Sequence, residues 1–417
     1  MPVLRHARLV LPDRVVEDGW LRTDRERIAA VGGAVPDTAA DGSGNADSNG
    51  NGDGTHLDRT LHEGTDSPQD VVDLTGHYVV PGFVDMHVHG GGGGAFSPGR
   101  IGEARDAVAF HLAHGTTTIM ASTVTGALPD LERYVAELAE LVEDEVLAGV
   151  HLEGPFIARS RCGAHDPNLL RDPEPSAVRR LVKAGRGAVR MVTLAPELEY
   201  GLEATGLLAD SGVIAAFGHT DATYTEAGGA IARGARVATH VFNAMRPVHH
   251  REPGPVTAAL EHEEVFVELV NDGMHVHPSV VGLVYAAAGA HRVALITDAM
   301  EAAGAADGRY PLGPLTVEVS GGAVRVAGTD TLAGSTLTMD NALRNTVLSV
   351  GVPIEEAAVS AALTPARALG LDDRIGSLEP GKYADLVVLD GDLRVVRVMR
   401  RGQWVSVPSA AGRPVTL

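Results

Sequence analysis

Short runs of apolar, often β-branched residues alternate with longer segments of helical spacing from residue 79 onward. Eight such runs lie at 79–88, 116–122, 147–152, 188–194, 213–218, 237–242, 265–270 and 293–297. Continuous apolar runs are typical of parallel strands that are buried on both faces of a sheet. The runs recur about every 30 residues, which is the length of one βα unit. Eight units predict an α/β fold, a (β/α)8 TIM-like barrel.

The two ends of the chain carry a different pattern of short strands broken by turn residues. Residues 3–32 contain Gly and Asp turns, and residues 373–405 contain Pro-Gly, Asp-Gly and Arg-Gly turns. Neither end is long enough to bury an apolar core alone. We therefore expect residues 1–78 and 373–417 to form one small β-sandwich domain, beside a catalytic barrel at 79–372. Residues 34–69 are rich in Asp, Gly, Asn, Ser and Thr, which predicts a flexible low-complexity insertion.

Charge and composition narrow the class of partner. The chain has 34 Lys and Arg against 54 Asp and Glu, a formal net charge of −20, which disfavours nucleic acid and anionic membranes. No apolar run reaches the roughly 18 residues of a membrane-spanning helix, and early charges interrupt any secretory signal. The single cysteine, Cys162, favours a reducing compartment. We expect a cytoplasmic protein that acts on a small molecule.

Metal-capable side chains fall at the ends of several predicted strands. They are His87 and His89 at the first strand, Glu153 at the third, His219 at the fifth, His240 at the sixth and Asp298 at the eighth. An isolated histidine is more often a surface residue or a hydrogen-bonded core residue. Active sites of such barrels, however, lie at the C-terminal ends of the strands, where these side chains would meet. Imidazole and carboxylate ligands suit zinc, iron(II), manganese or cobalt.

Two further features bear on the predicted chemistry. A carboxylated lysine can bridge two metal ions, but the lysines here are Lys183 and Lys382, and neither ends a barrel strand. Glu153 is therefore the carboxylate left to bridge two ions. Asp298, beside a metal-activated water, would take a proton and pass it to a departing amine. This sequence of transfers predicts amide hydrolysis.

Polar groups on the loops past the strand ends are candidates for holding a polar or anionic substrate. They are Asn243, Ala244, Arg251, Asp272 and His275. On the loop after Glu153, His165 is expected to orient the substrate carbonyl, and Cys162 is expected to fill space.

The segments PGFVDMHVHG, HLEGPF, GAHDPN, GHTDA, THVFNAM, REPG, DGMHVHP, TDAM and LAGSTLTM follow one another along the chain. In this order they resemble the N-acetylglucosamine-6-phosphate deacetylases of the amidohydrolase superfamily, over nearly the whole chain. The HxH pair is shared by many amidohydrolases, whereas HLEGPF with FNAM, REPG and DGMH is specific to the deacetylases. The resemblance implies hydrolysis of the acetamide of N-acetylglucosamine 6-phosphate to glucosamine 6-phosphate and acetate.

The resemblance also implies residue roles. It assigns Glu153, His219 and His240 to the principal metal and Asp298 to acid–base work. It assigns the sugar phosphate to Asn243, Ala244, Arg251 and His275, with Ala164, Leu332, Ala333 and Gly334 closing the pocket. The pair of His87 and His89 resembles the pair in family members that bind two metal ions. One or two divalent ions per subunit are therefore expected, with zinc favoured over iron, manganese or cobalt. It further implies a homodimer in which Arg251 reaches the neighbouring subunit's site.

Two alternatives stay open at this point. One is another metal-dependent amidohydrolase, such as an N-acyl amino acid deacetylase or a cyclic-amide hydrolase. The other is a non-catalytic amidohydrolase-like scaffold, which the presence of every candidate ligand disfavours.

Overall fold

The computed structural model describes residues 2–33 and 71–405. The insertion predicted at 34–69 lies outside the described residues. The described part of the chain holds no helix with both the length and the apolar character that crossing a bilayer requires.

In chain order, the strands are β1 (Val3–Val10), β2 (Val15–Asp24), β3 (Arg27–Gly32), β4 (Val71–Asp73), β5 (Tyr78–Pro81), β6 (Phe83–Asp85), β7 (Gly90–Gly91), β8 (Gly94–Ala95), β9 (Thr116–Thr123), β10 (Gly149–Glu153), β11 (Val189–Leu194), β12 (Ile214–Phe217), β13 (Ala235–Ala238), β14 (Phe266–Val270), β15 (Val293–Ile296), β16 (Gly308–Leu312), β17 (Leu315–Ser320), β18 (Ala323–Val326), β19 (Leu386–Leu389), β20 (Val395–Arg400) and β21 (Gln403–Val405).

The helices are α1 (Ile101–Ala113), α2 (Leu128–Glu143), α3 (Pro175–Ala184), α4 (Gly201–Asp210), α5 (Tyr224–Ala232), α6 (Gly254–Glu261), α7 (Pro278–Ala288), α8 (Met339–Asn345), α9 (Ile354–Ala358) and α10 (Thr364–Ala368). Single π-helical turns, Thr346–Val350 and Val359–Leu363, continue α8 and α9.

Eight parallel strands form the central barrel in the order β6, β9, β10, β11, β12, β13, β14 and β15. A helix follows each strand before the next begins, from α1 after β6 to α7 after β14, and α8 follows β15. The buried residues of the strands and of the inner helix faces share one apolar cluster. This arrangement confirms the predicted (β/α)8 barrel.

The first and last barrel strands are joined through their ends. Among the described residues, no regular ladder pairs β15 with β6. Instead, Thr297 Oγ1 donates to Asp85 Oδ2 at 2.6 Å, and the backbone N–H of Asp298 donates to the carbonyl of His87 at 2.9 Å. The barrel therefore closes through the segments that carry predicted metal ligands.

The apolar run at 79–88, which the sequence predicts as one barrel strand, is divided between two sheets. Its first part, β5, pairs in the small sheet, and only β6 enters the barrel. Gly82 separates them. A Cβ atom at Gly82 would lie 2.2 Å from Thr117 Oγ1, so the chain can make this close approach only with glycine. The single-strand prediction is wrong because the contact with Thr117 is not visible in the sequence.

Strands from both ends of the chain build the small sheet, in the order β21, β20, β19, β5, β1, β2 and β3, with β4 beside β1. Its pairings are antiparallel except those of β1 with β4 and β5. Leu386 and Val388 of β19 face the small domain's own core, whereas Val387 and Leu389 face the barrel core. This confirms a small β domain built from both ends. The boundaries at 78/79 and 372/373 stay a prediction.

A three-stranded antiparallel sheet, β16 to β18, follows the last barrel strand. Its buried residues form an apolar cluster with Val124 and Met300, and Ala164 packs against that cluster. This sheet is not among the predicted elements, although the alternation in 315–326 around Gly321 and Gly322 is typical of a hairpin. The sheet places its following loop above the C-terminal face of the barrel.

Asp385, the residue before β19, gives the small domain a testable pH dependence of its free energy of unfolding. Burial raises the pKa of Asp385 to about 6, although its carboxylate accepts the N–H of Arg401. In the unfolded chain an aspartate has a pKa of about 3.9. Between these values the folded state binds more protons than the unfolded state. The free energy of unfolding therefore falls, by up to about 3 kcal/mol, as the pH rises from about 4 to about 6.

We predict that Asp385→Asn removes this fall, because the amide has no proton to lose. Urea unfolding at half-unit pH steps from 4 to 7 measures it. Asp13→Asn is the control, since the Asp13 side chain is 68% exposed. An Asp385→Asn protein that loses stability with pH as steeply as the parent would contradict the prediction.

Candidate functional site

The six predicted ligands meet at the C-terminal face of the barrel. Glu153 is the last residue of β10. The others stand just past their strands: His87 and His89 after β6, His219 after β12, His240 after β13 and Asp298 after β15. The side chains of all six are buried.

Glu153, His219 and His240 form what we call the first ligand set. Glu153 Oε1 lies 2.9 Å from His240 Nε2 and 3.2 Å from His219 Nε2. His165 adds a further nitrogen beside this set, since its Nε2 lies 3.5 Å from Glu153 Oε2. Ligand atoms of Glu153, His165 and His219 lie within 4.8 Å of one another, and His240 Nε2 lies beside those of Glu153 and His219.

His87, His89 and Asp298 form the second ligand set. Asp298 Oδ1 lies 3.2 Å from His89 Nε2 and 3.6 Å from His87 Nε2. Glu153 connects the two sets, because its Oε2 lies 3.1 Å from His89 Nε2. The structure therefore places Glu153 where a carboxylate bridging two ions would stand.

The donor chemistry of both sets fits divalent cations. His219 Nε2 and His240 Nε2 lie 3.1 Å apart, and the Nε2 atoms of His87 and His89 lie 3.3 Å apart, so nitrogen lone pairs converge. Glu153 and Asp298 are 3% and 7% exposed, and within the described ranges their ion-pair partners are all histidines. Buried carboxylates without Lys or Arg call for another cation.

Three of the predicted ligands stand on strained backbone. His219, His240 and Asp298 have φ values of 47°, 28° and 50°, in the left-handed region that costs a non-glycine residue about 1–3 kcal/mol. Neighbouring segments hold Asp298 in place: the N–H of Ser335 donates to its carbonyl at 2.7 Å. A Cβ atom at Gly334 would lie 2.9 Å from that carbonyl oxygen, so glycine is needed there. Such strain is typical of functional sites.

The electrostatics of the site give Asp298 and His165 different protonation states. Burial alone would raise the pKa of Asp298, but the hydrogen bond with His89 and the charges of His87 and His89 hold it well below its usual range. Asp298 is therefore an ionised carboxylate near neutral pH. Burial lowers the pKa of His165 to about 4, and its Nδ1 accepts the N–H of Thr125. The neutral ring therefore carries its proton on Nε2.

A cavity of about 550 Å³ opens above the two ligand sets. Its wall includes most of the predicted substrate residues, namely Ala164, Asn243, Ala244, His275, Leu332 and Gly334, together with His165. The amide nitrogen of Asn243 donates to the carbonyls of His240 and Val241, which braces the turn after β13.

Arg251, Asp272 and Ala333 lie outside the cavity wall that the described residues form. Arg251 is exposed and contacts His250. Asp272 lies behind His275. Its Oδ2 is 2.7 Å from His275 Nδ1 and fixes the orientation of that ring. Ala333 is fully buried in the apolar cluster of β16 to β18.

The cavity wall also contains polar residues that the sequence analysis misses. Arg161 donates two hydrogen bonds to Asp221 Oδ1, at 2.9 and 2.8 Å, and its carbonyl accepts His219 Nδ1 at 2.8 Å. Asp330 and Thr331 enter from the loop after β18. The position of Arg161 between HLEGPF and GAHDPN is the available sequence signal.

A second group that the sequence analysis misses lies below the ligands, inside the barrel. We call it the buried polar layer, and all of its members are 0% exposed: Asp85, Ser122, His151, Thr193, Thr239, Glu268 and Thr297. His151 lies within hydrogen-bonding distance of both Ser122 Oγ and Thr193 Oγ1. Barrel interiors are usually filled by branched apolar residues, so this layer indicates a support for the site. The sequence signal is a charged residue, Glu268, inside the apolar run 265–270.

Comparison with known proteins gives consistent results. The chain matches the amidohydrolase family over residues 78–405. It is 38% identical over 344 residues to the N-acetylgalactosamine-6-phosphate deacetylase of Escherichia coli O157:H7, covering 81% of this chain and 90% of that protein. It is 35% identical over 331 residues to the N-acetylglucosamine-6-phosphate deacetylase of Vibrio furnissii, covering 78% and 82%.

A solved structure extends the similarity to the whole fold. The crystal structure of N-acetyl-D-glucosamine-6-phosphate deacetylase from Mycobacterium smegmatis superimposes with a TM-score of 0.86 at 44% identity, covering 97% of this chain and 100% of that one.

Proposed function

The chain belongs to the amidohydrolase family, and we propose that it hydrolyses the acetamide of N-acetylglucosamine 6-phosphate to glucosamine 6-phosphate and acetate. The observation that carries this proposal is the buried Asp298 carboxylate, which lies 3.2 Å from His89 Nε2 in the wall of a polar cavity that residues of both ligand sets line. Relatives with this activity match most of the chain.

We assign a divalent cation to the first ligand set and a second cation to the second set, with zinc the favoured ion and iron, manganese or cobalt the alternatives. Mixed imidazole and carboxylate donors without sulfur suit these ions. When bound, such a cation lowers the pKa of a water molecule and polarises a carbonyl group.

The residues of this chain then carry the proton transfers. Asp298 takes a proton from the attacking water, so that the water oxygen can add to the acetamide carbonyl carbon. The Nε2–H of His165 hydrogen-bonds the carbonyl oxygen as negative charge develops on it. Asp298 returns the proton to the sugar nitrogen as the C–N bond breaks, which releases acetate and the free amine.

Recognition of the sugar phosphate is assigned to Asn243, Ala244 and His275, with Arg251 supplied by the second subunit of a homodimer. Within the described residues, Arg161 is the arginine in the cavity wall, and Asp221 already neutralises it. Arg251 of the same chain is exposed and stands outside that wall. A dianionic phosphate therefore needs a cation from elsewhere, and a second copy offers one.

A second candidate substrate is N-acetylgalactosamine 6-phosphate, because a 38% identical relative carries that name. The two sugars differ in the configuration of one hydroxyl group, and the same acetamide chemistry serves both. We rank the glucosamine derivative first because the 44% identical structural relative acts on it.

We also infer a cytoplasmic location, supported by the single cysteine among 417 residues. We further propose a small β domain built from residues 1–78 and 373–417 beside a catalytic barrel at 79–372. Because β5 (Tyr78–Pro81) pairs in the small sheet, the first boundary moves to Gly82.

An acetate-release assay tests the substrate directly. We expect turnover of N-acetylglucosamine 6-phosphate. For N-acetylglucosamine we expect kcat/KM to be at least about 100-fold lower, because the charge-assisted hydrogen bonds to the phosphate are lost. N-acetylgalactosamine 6-phosphate, N-acetyl amino acids and dihydropyrimidine-type cyclic amides complete the panel. Preference for a substrate other than N-acetylglucosamine 6-phosphate would overturn the assignment.

The same assay on Arg251→Ala tests where the phosphate is held. The expected result is a raised KM for the phosphorylated sugar and little change for the unphosphorylated one. Arg233→Ala, on the exposed end of α5, is the control. If Arg251 acts across a dimer, co-expressing Arg251→Ala with Asp298→Asn restores about a quarter of wild-type activity, since hybrid dimers hold one complete site. If the co-expressed variants recover no activity, Arg251 acts within its own subunit's site or does not bind the substrate.

The role of Asp298 gives a further prediction. We expect Asp298→Asn to lower kcat by at least about 1,000-fold, because the amide can neither accept nor return the proton. The metal of the first ligand set should remain, as measured by elemental analysis. Near-normal turnover in this variant would refute the assigned role.

A further inference from the structure

Glu268 is a fully buried carboxylate on β14, directly beneath the two ligand sets. Its Oε2 accepts the Nδ1–H of His87 at 2.9 Å. The same oxygen accepts the backbone N–H of His240 at 3.3 Å. One carboxylate thus contacts a residue of each ligand set without standing among the ligands.

The contact with His87 determines which ring nitrogen can bind a cation. A carboxylate that accepts Nδ1–H holds the proton on that nitrogen, so Nε2 keeps its lone pair. His87 Nε2 is the atom that faces His89 and Asp298. Glu268 is therefore placed to keep His87 in its ligating form.

Other neighbours of His87 do not duplicate this contact. The ring of His151 packs edge-on at 4.5 Å between centroids, and its two nitrogens face Ser122 and Thr193. Within the described part of the chain, Glu268 is the hydrogen-bond partner of His87 Nδ1. Without it, nothing holds the proton on that nitrogen.

The charge of Glu268 acts in the same direction. Among the described residues its ion-pair partner is His87, and its Oε1 accepts no hydrogen bond. A buried negative charge without a Lys or Arg partner raises the attraction of the neighbouring site for a cation.

We propose that Glu268 is a positioning residue that controls occupancy of the second ligand set, by holding His87 ready to bind and by adding a buried negative charge behind it. This rests on the proposed function, because it takes the second ligand set as a cation site. The first ligand set depends on it less, since the contact there is with the backbone of His240 rather than with its ring.

Two substitutions separate charge from hydrogen bonding. Glu268→Gln leaves an amide oxygen that can accept both N–H groups, but it removes the charge. Glu268→Leu removes both at similar volume. We expect the cation affinity of the second ligand set to fall about 10-fold in the first variant and about 100-fold in the second. The first ligand set should keep its cation.

The measurement is zinc per chain by elemental analysis after dialysis, followed by titration against a competing chelator. The parent protein should hold two ions and both variants close to one. Acetate release by the variants should rise toward the parent value as zinc is added, with KM for the sugar unchanged. Asp385→Asn, which removes a buried carboxylate in the small domain, is the matched control and should keep both ions.

The outcomes divide cleanly. Two tightly held ions in Glu268→Gln and Glu268→Leu would overturn the inference. Lost activity that zinc does not restore would also overturn it, because a purely structural role gives that result. If Glu268→Leu does not fold, Glu268→Gln alone decides. A parent protein that holds ions but does not deacetylate the phosphosugar would instead refute the proposed function.

Discussion

The constraint on which the rest of the structure depends is the burial of three carboxylates, Glu153, Glu268 and Asp298, whose ion-pair partners within the described residues are histidines. Removing a carboxylate from water costs several kcal/mol even after the surroundings relax. The imidazoles offset that cost only by taking up protons, whereas divalent cations offset it and leave the imidazole nitrogens free to bind them. The arrangement becomes favourable when divalent ions occupy it, and those ions supply the chemistry that an amide hydrolase needs.

The barrel makes this concentration of charge possible. Parallel strands deliver side chains from distant parts of the sequence to one face, and the buried polar layer replaces water below them with hydroxyl, imidazole and carboxylate partners. The seam between Asp85 and Thr297 fixes the ends of β6 and β15, which carry the second ligand set. Strained φ angles at His219, His240 and Asp298 persist because surrounding backbone hydrogen bonds hold them.

The sequence predicts the barrel and the six metal-capable side chains that the structure brings together, because continuous apolar runs and the polar residues that end them are local signals. It does not predict that Gly82 separates two sheets, since the close approach to Thr117 is a tertiary contact. It misses Glu268 because one charged residue within an apolar run has no spacing partner. It predicts Arg251 and Ala333 at the site, but Arg251 is exposed outside the cavity wall and Ala333 packs into the apolar cluster of β16 to β18. Motifs alone do not encode such side-chain placements.

The central claim is that the two ligand sets hold divalent cations. Anomalous X-ray diffraction at the zinc absorption edge, from crystals grown with zinc, tests it most directly. The account predicts two peaks, one about 2.0–2.2 Å from the donor atoms of Glu153, His219 and His240, and one at similar distances from His87, His89 and Asp298. Maps without a peak at either position, in which the carboxylates and imidazoles bond directly to one another, would contradict it.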